Sequence, residues 1–93
     1  VCFFDKRGVV RLMNRRMLSV GAELLGSGVQ TLEELHRALD TPPESIERLD
    51  AEMGIYKFPS GTVLRFVERQ ITDKSGGSYT EVTASDVNPP AGA

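Results

Sequence analysis

One histidine and one cysteine are the side chains of this chain best suited to chemistry near neutral pH. An imidazole can transfer a proton or bind a metal ion, and a thiolate is both a nucleophile and a metal ligand. His36 and Cys2 stand far apart in the sequence, however, and they form no motif of recognisable spacing. A single cysteine also excludes an internal disulfide and any metal site built on several thiolates.

The sequence neighbours of both residues favour structural roles. His36 lies at the edge of an apolar helical stripe and has charged neighbours, so we expect it at the rim of that helix or in solvent. It is kept as the one candidate for binding a cofactor. Cys2 lies in the strand-like segment Val1–Phe4, where a free cysteine usually behaves as a small buried hydrophobe.

The acidic and glycine-rich segments complete no catalytic site. Asp5, Asp73 and Asp86 stand in predicted turns or at a strand end, and no sequence neighbour forms an acid–base pair with them. The segment 26–28, Gly-Ser-Gly, lacks the lysine and hydroxyl residue that end a phosphate-binding loop. We therefore predict that the chain is not itself an enzyme.

The composition is typical of one globular domain. Hydrophobic residues make up 40% of the 93 residues, and the formal net charge of -2 provides no basic surface for nucleic acid. The apolar runs are far shorter than the roughly 20 residues of a membrane span. We therefore expect no nucleic-acid partner and no direct membrane insertion.

Two features concern the location and the origin of the chain. A lone cysteine fits a reducing, cytoplasmic location. The start at Val1 without methionine suggests a piece of a longer protein, whose other parts could include a membrane anchor.

Three glycine-containing turns separate segments rich in β-branched, aromatic and aliphatic residues. The turns are Asp5–Gly8, Pro59–Gly61 and Asp73–Gly77. The predicted strands are Val1–Phe4, Val9–Met13, Ile55–Phe58, Thr62–Ile71 and Ser78–Val87. Because each turn is short, consecutive strands should pair as antiparallel hairpins.

The middle of the chain has helical periodicity. Asn14 is a predicted N-cap for a helix over 15–25 that ends at Gly26, and Thr31 begins a second helix that runs to Leu39. A short third helix is predicted through Ile46 and Leu49. The sequence thus predicts an α+β fold, with a five-stranded antiparallel sheet and the helices packed on one face.

The order of these segments resembles a PAS domain, the sensory module of many bacterial sensor histidine kinases. The segment 1–14 is similar to the family's opening hairpin, with its Asp-x-x-Gly turn and the asparagine that begins the first helix. The segment 22–26 is similar to its Glu-Leu-x-Gly helix ending, and 58–61 and 73–77 stand where it has further turns. The segment 84–88 resembles its Asp-Ile-Thr ending, with valine and asparagine as the last two residues.

This resemblance implies a PAS-like sensory domain over 1–88 and a linker or disordered tail over 89–93. It implies a sheet in which the first strand lies beside the last, and a signal junction at Asp86, Val87 and Asn88 that leads to a downstream output domain. In the family the matching aspartate pairs with a basic group, for which we expect Arg65 or Arg69 on the preceding strand. The parent protein would be a sensor histidine kinase.

Cofactors follow from the same resemblance. Haem-binding relatives present their axial ligand from the region of His36, and flavin-binding relatives use a cysteine in a central helix, whereas Cys2 lies in the first strand. We therefore expect no cofactor, although a small metabolite remains an option.

The last predicted strand has one face of small side chains, which are Thr80, Val82 and Ala84. These side chains either leave space for a ligand or pack tightly, and tight packing is the expected outcome.

A partner is expected on the sheet. Both alternating faces of segments 1–4, 9–13 and 63–67 carry apolar side chains, which a sheet with one solvent-exposed face should not show. A second copy of the domain or a flanking helix should cover that face.

Two alternatives to the sensory function remain. One is a ligand-free structural dimerisation module. The other is a small-molecule enzyme of profilin-like or ferredoxin-like build, which would need a polar cluster.

Overall fold

The structure, a computed structural model, describes residues 1–87 as an α+β fold with an open six-stranded antiparallel sheet and two helices. The elements are β1 (Cys2–Phe4), β2 (Val10–Met13), α1 (Arg15–Leu25), α2 (Leu32–Asp40), β3 (Glu47–Asp50), β4 (Ile55–Lys57), β5 (Val63–Thr72) and β6 (Ser78–Asp86). Asn88 and the predicted tail 89–93 lie outside the described residues. Within residues 1–87 we find no helix with the length and hydropathy to cross a bilayer.

The strand order is β2-β1-β6-β5-β4-β3, so the first strand lies beside the last, as predicted. The five predicted strands are present, each within one or two residues of its expected bounds. The expected total of five strands was wrong because β3 adds a sixth at one edge.

β3 replaces the short helix that was predicted through Ile46 and Leu49. Glu47 pairs with Lys57 and Arg48 with Tyr56, so the segment forms a hairpin with β4. Glutamate, arginine and leucine are good helix formers, but the backbone pairing with β4 and the burial of Ile46 override that local preference.

Both helices begin at the predicted caps, α1 ends at the predicted glycine, and α2 ends at Asp40, one residue beyond its expected end. Asn14 accepts a hydrogen bond from the Met17 N–H at 3.0 Å, and Thr31 Oγ1 accepts one from the Glu34 N–H at 3.2 Å. α1 ends where Gly26 adopts a φ of 75° and its N–H donates to the Ala22 carbonyl. These caps set the ends of the two helices, whose buried residues belong to the same core as the sheet.

A single core joins both helices to one sheet face, here called the inner face. Along β6, Thr80, Val82 and Ala84 are buried, while Thr83 is only half-buried and Ser85 is exposed. Side chains of both helices join inner-face residues in one apolar cluster. Its largest fully buried members are Phe4, Phe58, Met17, Leu35 and Cys2. The helices therefore lie on one face, as predicted.

The opposite sheet face, here called the outer face, is not covered by any helix among residues 1–87. The pairing register places Leu12, Phe3, Glu81 and Arg69 side by side in one row across four strands. Leu12 is 61% exposed, and Val67, which lies opposite Thr83 on the same face, is 43% exposed. The apolar residues expected on both faces are therefore present.

Candidate functional site

A cavity of about 220 Å³ lies between α2, the turn 51–54 and the inner face of the sheet. We call it the inner cavity. Its apolar walls are Leu35 and Leu39 from α2, Ala51 and Met53 from the turn, and Tyr56, Phe66 and Val82 from the sheet. The small inner-face residues of β6 are buried as expected, yet the packing above Val82 leaves this space.

The turn 51–54 is held in place by its last residue. Gly54 has a φ of 69°, and its carbonyl accepts a hydrogen bond from the Phe66 N–H at 2.9 Å. A Cβ atom at this position would lie 2.8 Å from the Phe66 carbonyl oxygen, so only glycine fits there without a shift. This contact keeps the turn close to β5. Met53, which is 45% exposed, lines the cavity from the turn.

Two aromatic rings form one wall of the inner cavity. Tyr56 and Phe66 meet edge to face, with ring centroids 5.5 Å apart and an interplanar angle of 87°. The Tyr56 hydroxyl donates to the Leu39 carbonyl at 2.7 Å, which ties the end of α2 to β4. Because its polar atom is already satisfied, Tyr56 contributes an apolar surface to the cavity.

A polar pair borders the same cavity. His36 Nε2 lies 2.8 Å from Glu68 Oε2, and the two side chains are 51% and 40% exposed. An ionised carboxylate only accepts hydrogen bonds, so His36 Nε2 is the donor. His36 thus stands at the rim of the helix, as expected, and a ligand that used this ring nitrogen would have to displace Glu68.

The other sequence candidates occupy structural positions. Cys2 is fully buried in β1, and desolvation by burial raises the pKa of its thiol to about 11. Asp5 accepts hydrogen bonds from the Val9 and Arg7 N–H groups, and the Val9 bond is the main reason that its pKa is lowered. Asp73 is similar: hydrogen bonds from the Ser75 hydroxyl and then the Gly77 N–H lower its pKa.

The end of β6 differs from the prediction in its ion pair. Asp86 pairs with Arg16 at the start of α1, with Oδ2 3.0 Å from Nη1 and Oδ1 3.1 Å from Nη2. The expected partners were wrong: Arg69 pairs with Glu81 at 2.9 Å, and Arg65 lies opposite Ser85 in the register. Asp86 follows Ala84 by two positions, so it lies on the inner face, whereas both arginines of β5 lie on the outer face.

The remaining junction residues follow the last strand. The Val87 N–H donates to the Val63 carbonyl at 2.9 Å, which continues the β5–β6 ladder. Asn88 lies outside the described residues. Sequence reasoning also missed Glu68, Met53 and Phe66 at the inner cavity, since no spacing in the sequence relates them to α2.

Comparison with known proteins adds no family to this description. No protein-family model, no curated protein and no solved structure matches the chain. Function is therefore inferred from the inner cavity, the end of β6 and the outer face.

Proposed function

We propose that this chain is a sensory domain of PAS type, which binds a small ligand and relays its presence to an output domain of the same protein. One observation carries the proposal: the inner cavity and the exit of the domain share strand β6. Val82 lines the cavity, and Asp86 ends the same strand four positions later. A ligand that contacts Val82 therefore acts on the strand that leads out of the domain.

The relay works through two nearly balanced states. A ligand shifts such an equilibrium only by binding one state better than the other. A ligand in the inner cavity favours the state in which α2 and the sheet are far enough apart to leave the cavity open. The Arg16–Asp86 pair then reports that state, because it joins the first turn of α1 to the end of β6. Both side chains are about half exposed, so the pair contributes only about 0–1 kcal/mol and can be biased easily.

The chemistry of the site supports binding rather than catalysis. Among the described residues that line the cavity, His36 and Glu68 form the only polar pair, none is a serine, threonine or cysteine, and the Tyr56 hydroxyl already donates to the Leu39 carbonyl. The volume of about 220 Å³ is below the roughly 300–1,000 Å³ of pockets for drug-sized ligands, which favours a small metabolite over haem or flavin. The parent protein is, in this proposal, a cytoplasmic or membrane-anchored bacterial histidine kinase.

Nuclear magnetic resonance of the isotopically labelled chain tests the relay. A compound that binds the inner cavity should shift the amide resonances of Leu35 and Val82, and also those of Arg16 and Asp86 at the exit. The Gly76 resonance, in the turn at the far end of the β5–β6 hairpin, serves as the internal control. Cavity shifts without any change at Arg16 and Asp86 would contradict the relay.

A second candidate function is a ligand-free dimerisation module, which the outer face favours. Phe3, Leu12 and Val67 are apolar residues of that face, and the Glu81–Arg69 ion pair lies between Phe3 and Val67 in the register. We propose a second copy of this chain as the occupant. Because the face carries both charge signs, two copies of it do not repel each other strongly. A flanking helix of the parent protein is the alternative occupant of this face.

A further inference from the structure

We propose that the ligand of the inner cavity is a small arylalkylamine, a single aromatic ring joined by a short carbon chain to an ammonium group. This inference rests on the proposed sensory function and names the chemical class of its ligand. The size of the cavity, the nature of its walls and the charge of its rim each restrict the ligand independently.

Size restricts the ligand to about one ring. An apolar cavity of roughly 150 Å³ inside a protein is large enough to hold benzene. The inner cavity, at about 220 Å³, has space for one ring and a chain of a few further atoms. Fused ring systems with several substituents would require the turn 51–54 to move away from β5, against the Gly54–Phe66 hydrogen bond.

The walls favour an aromatic ring over an aliphatic chain. Phe66 is only half-buried although it lies on the inner face, and it meets Tyr56 edge to face in the cavity wall. A ligand ring can add to this cluster, since aromatic pairs gain energy beyond the area they bury. The thioether of Met53 borders the same space and suits contact with a ring edge.

The rim favours a cation over an anion. Two carboxylates, Glu68 and Glu52, line the cavity, with His36 as the only basic side chain among its lining residues. Arg37 pairs with Glu33 at 3.1 Å and Arg48 with Asp40 at 3.9 Å, so both are already engaged. Arg65 and Arg69 flank lining residues of β5 in the chain but lie on the outer face, away from the cavity.

Glu68 has the capacity to bind the ammonium group. Its Oε2 accepts from His36, and its Oε1 has no hydrogen-bond partner among residues 1–87. An ionised carboxylate can accept about four hydrogen bonds, so an ammonium group can bind Glu68 without displacing His36. A carboxylate group of a ligand at the same place would be repelled by the two carboxylates of the rim.

Calorimetric titration of the full 93-residue chain with three probes tests the ligand class: 2-phenylethylamine, 2-phenylethanol and phenylacetate. The probes share a ring and a short chain and differ in charge. We expect the amine to bind at least about tenfold more tightly than the carboxylate, in line with hydrogen bonds to charged groups. The uncharged alcohol should fall between them.

Variants assign the effect to the rim and to the cavity. Glu68→Gln should weaken amine binding about tenfold and leave alcohol binding unchanged, while Glu23→Gln, an exposed carboxylate on α1, should change neither. His36→Ala leaves Glu68 in place, so the amine should bind at least as tightly as to the parent chain. Ala51→Phe should abolish binding of all three probes, and the melting temperature of each variant shows that it is folded.

The outcomes separate this inference from the function on which it rests. Alcohol or carboxylate binding that equals or exceeds amine binding, and that Ala51→Phe abolishes, would overturn the arylalkylamine class and leave a ligand-binding cavity in place. Amine binding that Glu68→Gln does not weaken would overturn the assigned rim contact. If no probe binds even at millimolar concentration, the arylalkylamine class is wrong, and the sensory function is then judged by the amide shifts of Arg16 and Asp86 alone.

Discussion

Cys2 shows how burial changes the chemistry of a single residue. With its pKa raised from 9.0 to about 11, the thiol holds about 100-fold less thiolate near neutral pH than an unperturbed cysteine. We predict that iodoacetamide labels the folded chain at least about 100-fold more slowly than the chain unfolded in urea. Rapid labelling of the folded chain would contradict the enclosed position of β1.

The turn aspartates predict a dependence of stability on pH. Hydrogen bonds to the carboxylates lower the pKa of Asp5 and Asp73 below 3.8, so each stabilises the folded state above that pH. This stabilisation is lost as the pH falls through the lowered values. The melting temperature of Asp73→Asn should therefore lie furthest below that of the unsubstituted chain near pH 7, and the two should converge as the pH falls through the lowered pKa of Asp73.

Glu44→Gln is the matched control for this pH series. Glu44 is exposed and makes no side-chain hydrogen bond among residues 1–87. Its difference from the parent should stay near zero across the same range. A Glu44 series that follows the Asp73 series would mean that general surface charge, rather than the turn hydrogen bonds, sets the acid response.

Residue positions were predictable where the signal was local. The capping roles of Asn14 and Thr31 and the burial of Cys2 follow from neighbours within a few positions. The Arg16–Asp86 pair was missed because its partners are distant in the sequence. The alternation of β6 offered a usable signal, since it already placed Asp86 on the helix side of the sheet.

At the scale of elements, the turn before β4 depends on one glycine. Gly54→Ala forces a side chain into a positive φ and within 2.8 Å of the Phe66 carbonyl, so we expect it to lower the free energy of unfolding by more than about 2 kcal/mol. Gly61→Ala is the matched control. Gly61 has a φ of 89° with nothing within 4 Å of the added atom, and we expect a loss of only about 1 kcal/mol. Urea unfolding of both variants measures the difference; equal losses would remove the role assigned to the close contact.

In the same region, one element could not be predicted from the sequence. β3 consists of Glu-Arg-Leu-Asp, a polar sequence without β-branched residues, and it is a strand only because β4 offers an edge. The inner cavity depends on the turn that follows β3, so it could not be derived before that strand was seen. By contrast, the five other strands carry their own alternation and turn signals.

At the scale of the whole molecule, the outer face predicts association. Burying each large apolar side chain contributes about 1.5–3 kcal/mol, so a charge at Val67 should dissociate a dimer that uses this face. We predict that Val67→Asp is monomeric in sedimentation at concentrations where the unsubstituted chain associates. Leu18→Asp, at a similarly exposed apolar position on α1, should associate like the parent. Association that survives Val67→Asp would place the interface elsewhere, and an unsubstituted chain that stays monomeric at every concentration would contradict the predicted association.

The most direct test of the proposed relay is a charge exchange at the exit, measured in the longer protein that the proposal assigns to this domain. Arg16→Asp and Asp86→Arg should each alter output activity while lowering the stability of the isolated domain by no more than about 1 kcal/mol. Combining the two substitutions restores opposite charges across the pair, so the double variant should regain parental output. Output that is unchanged in both single variants, or a double variant that stays as defective as the singles, would contradict a signal path through α1 and the end of β6.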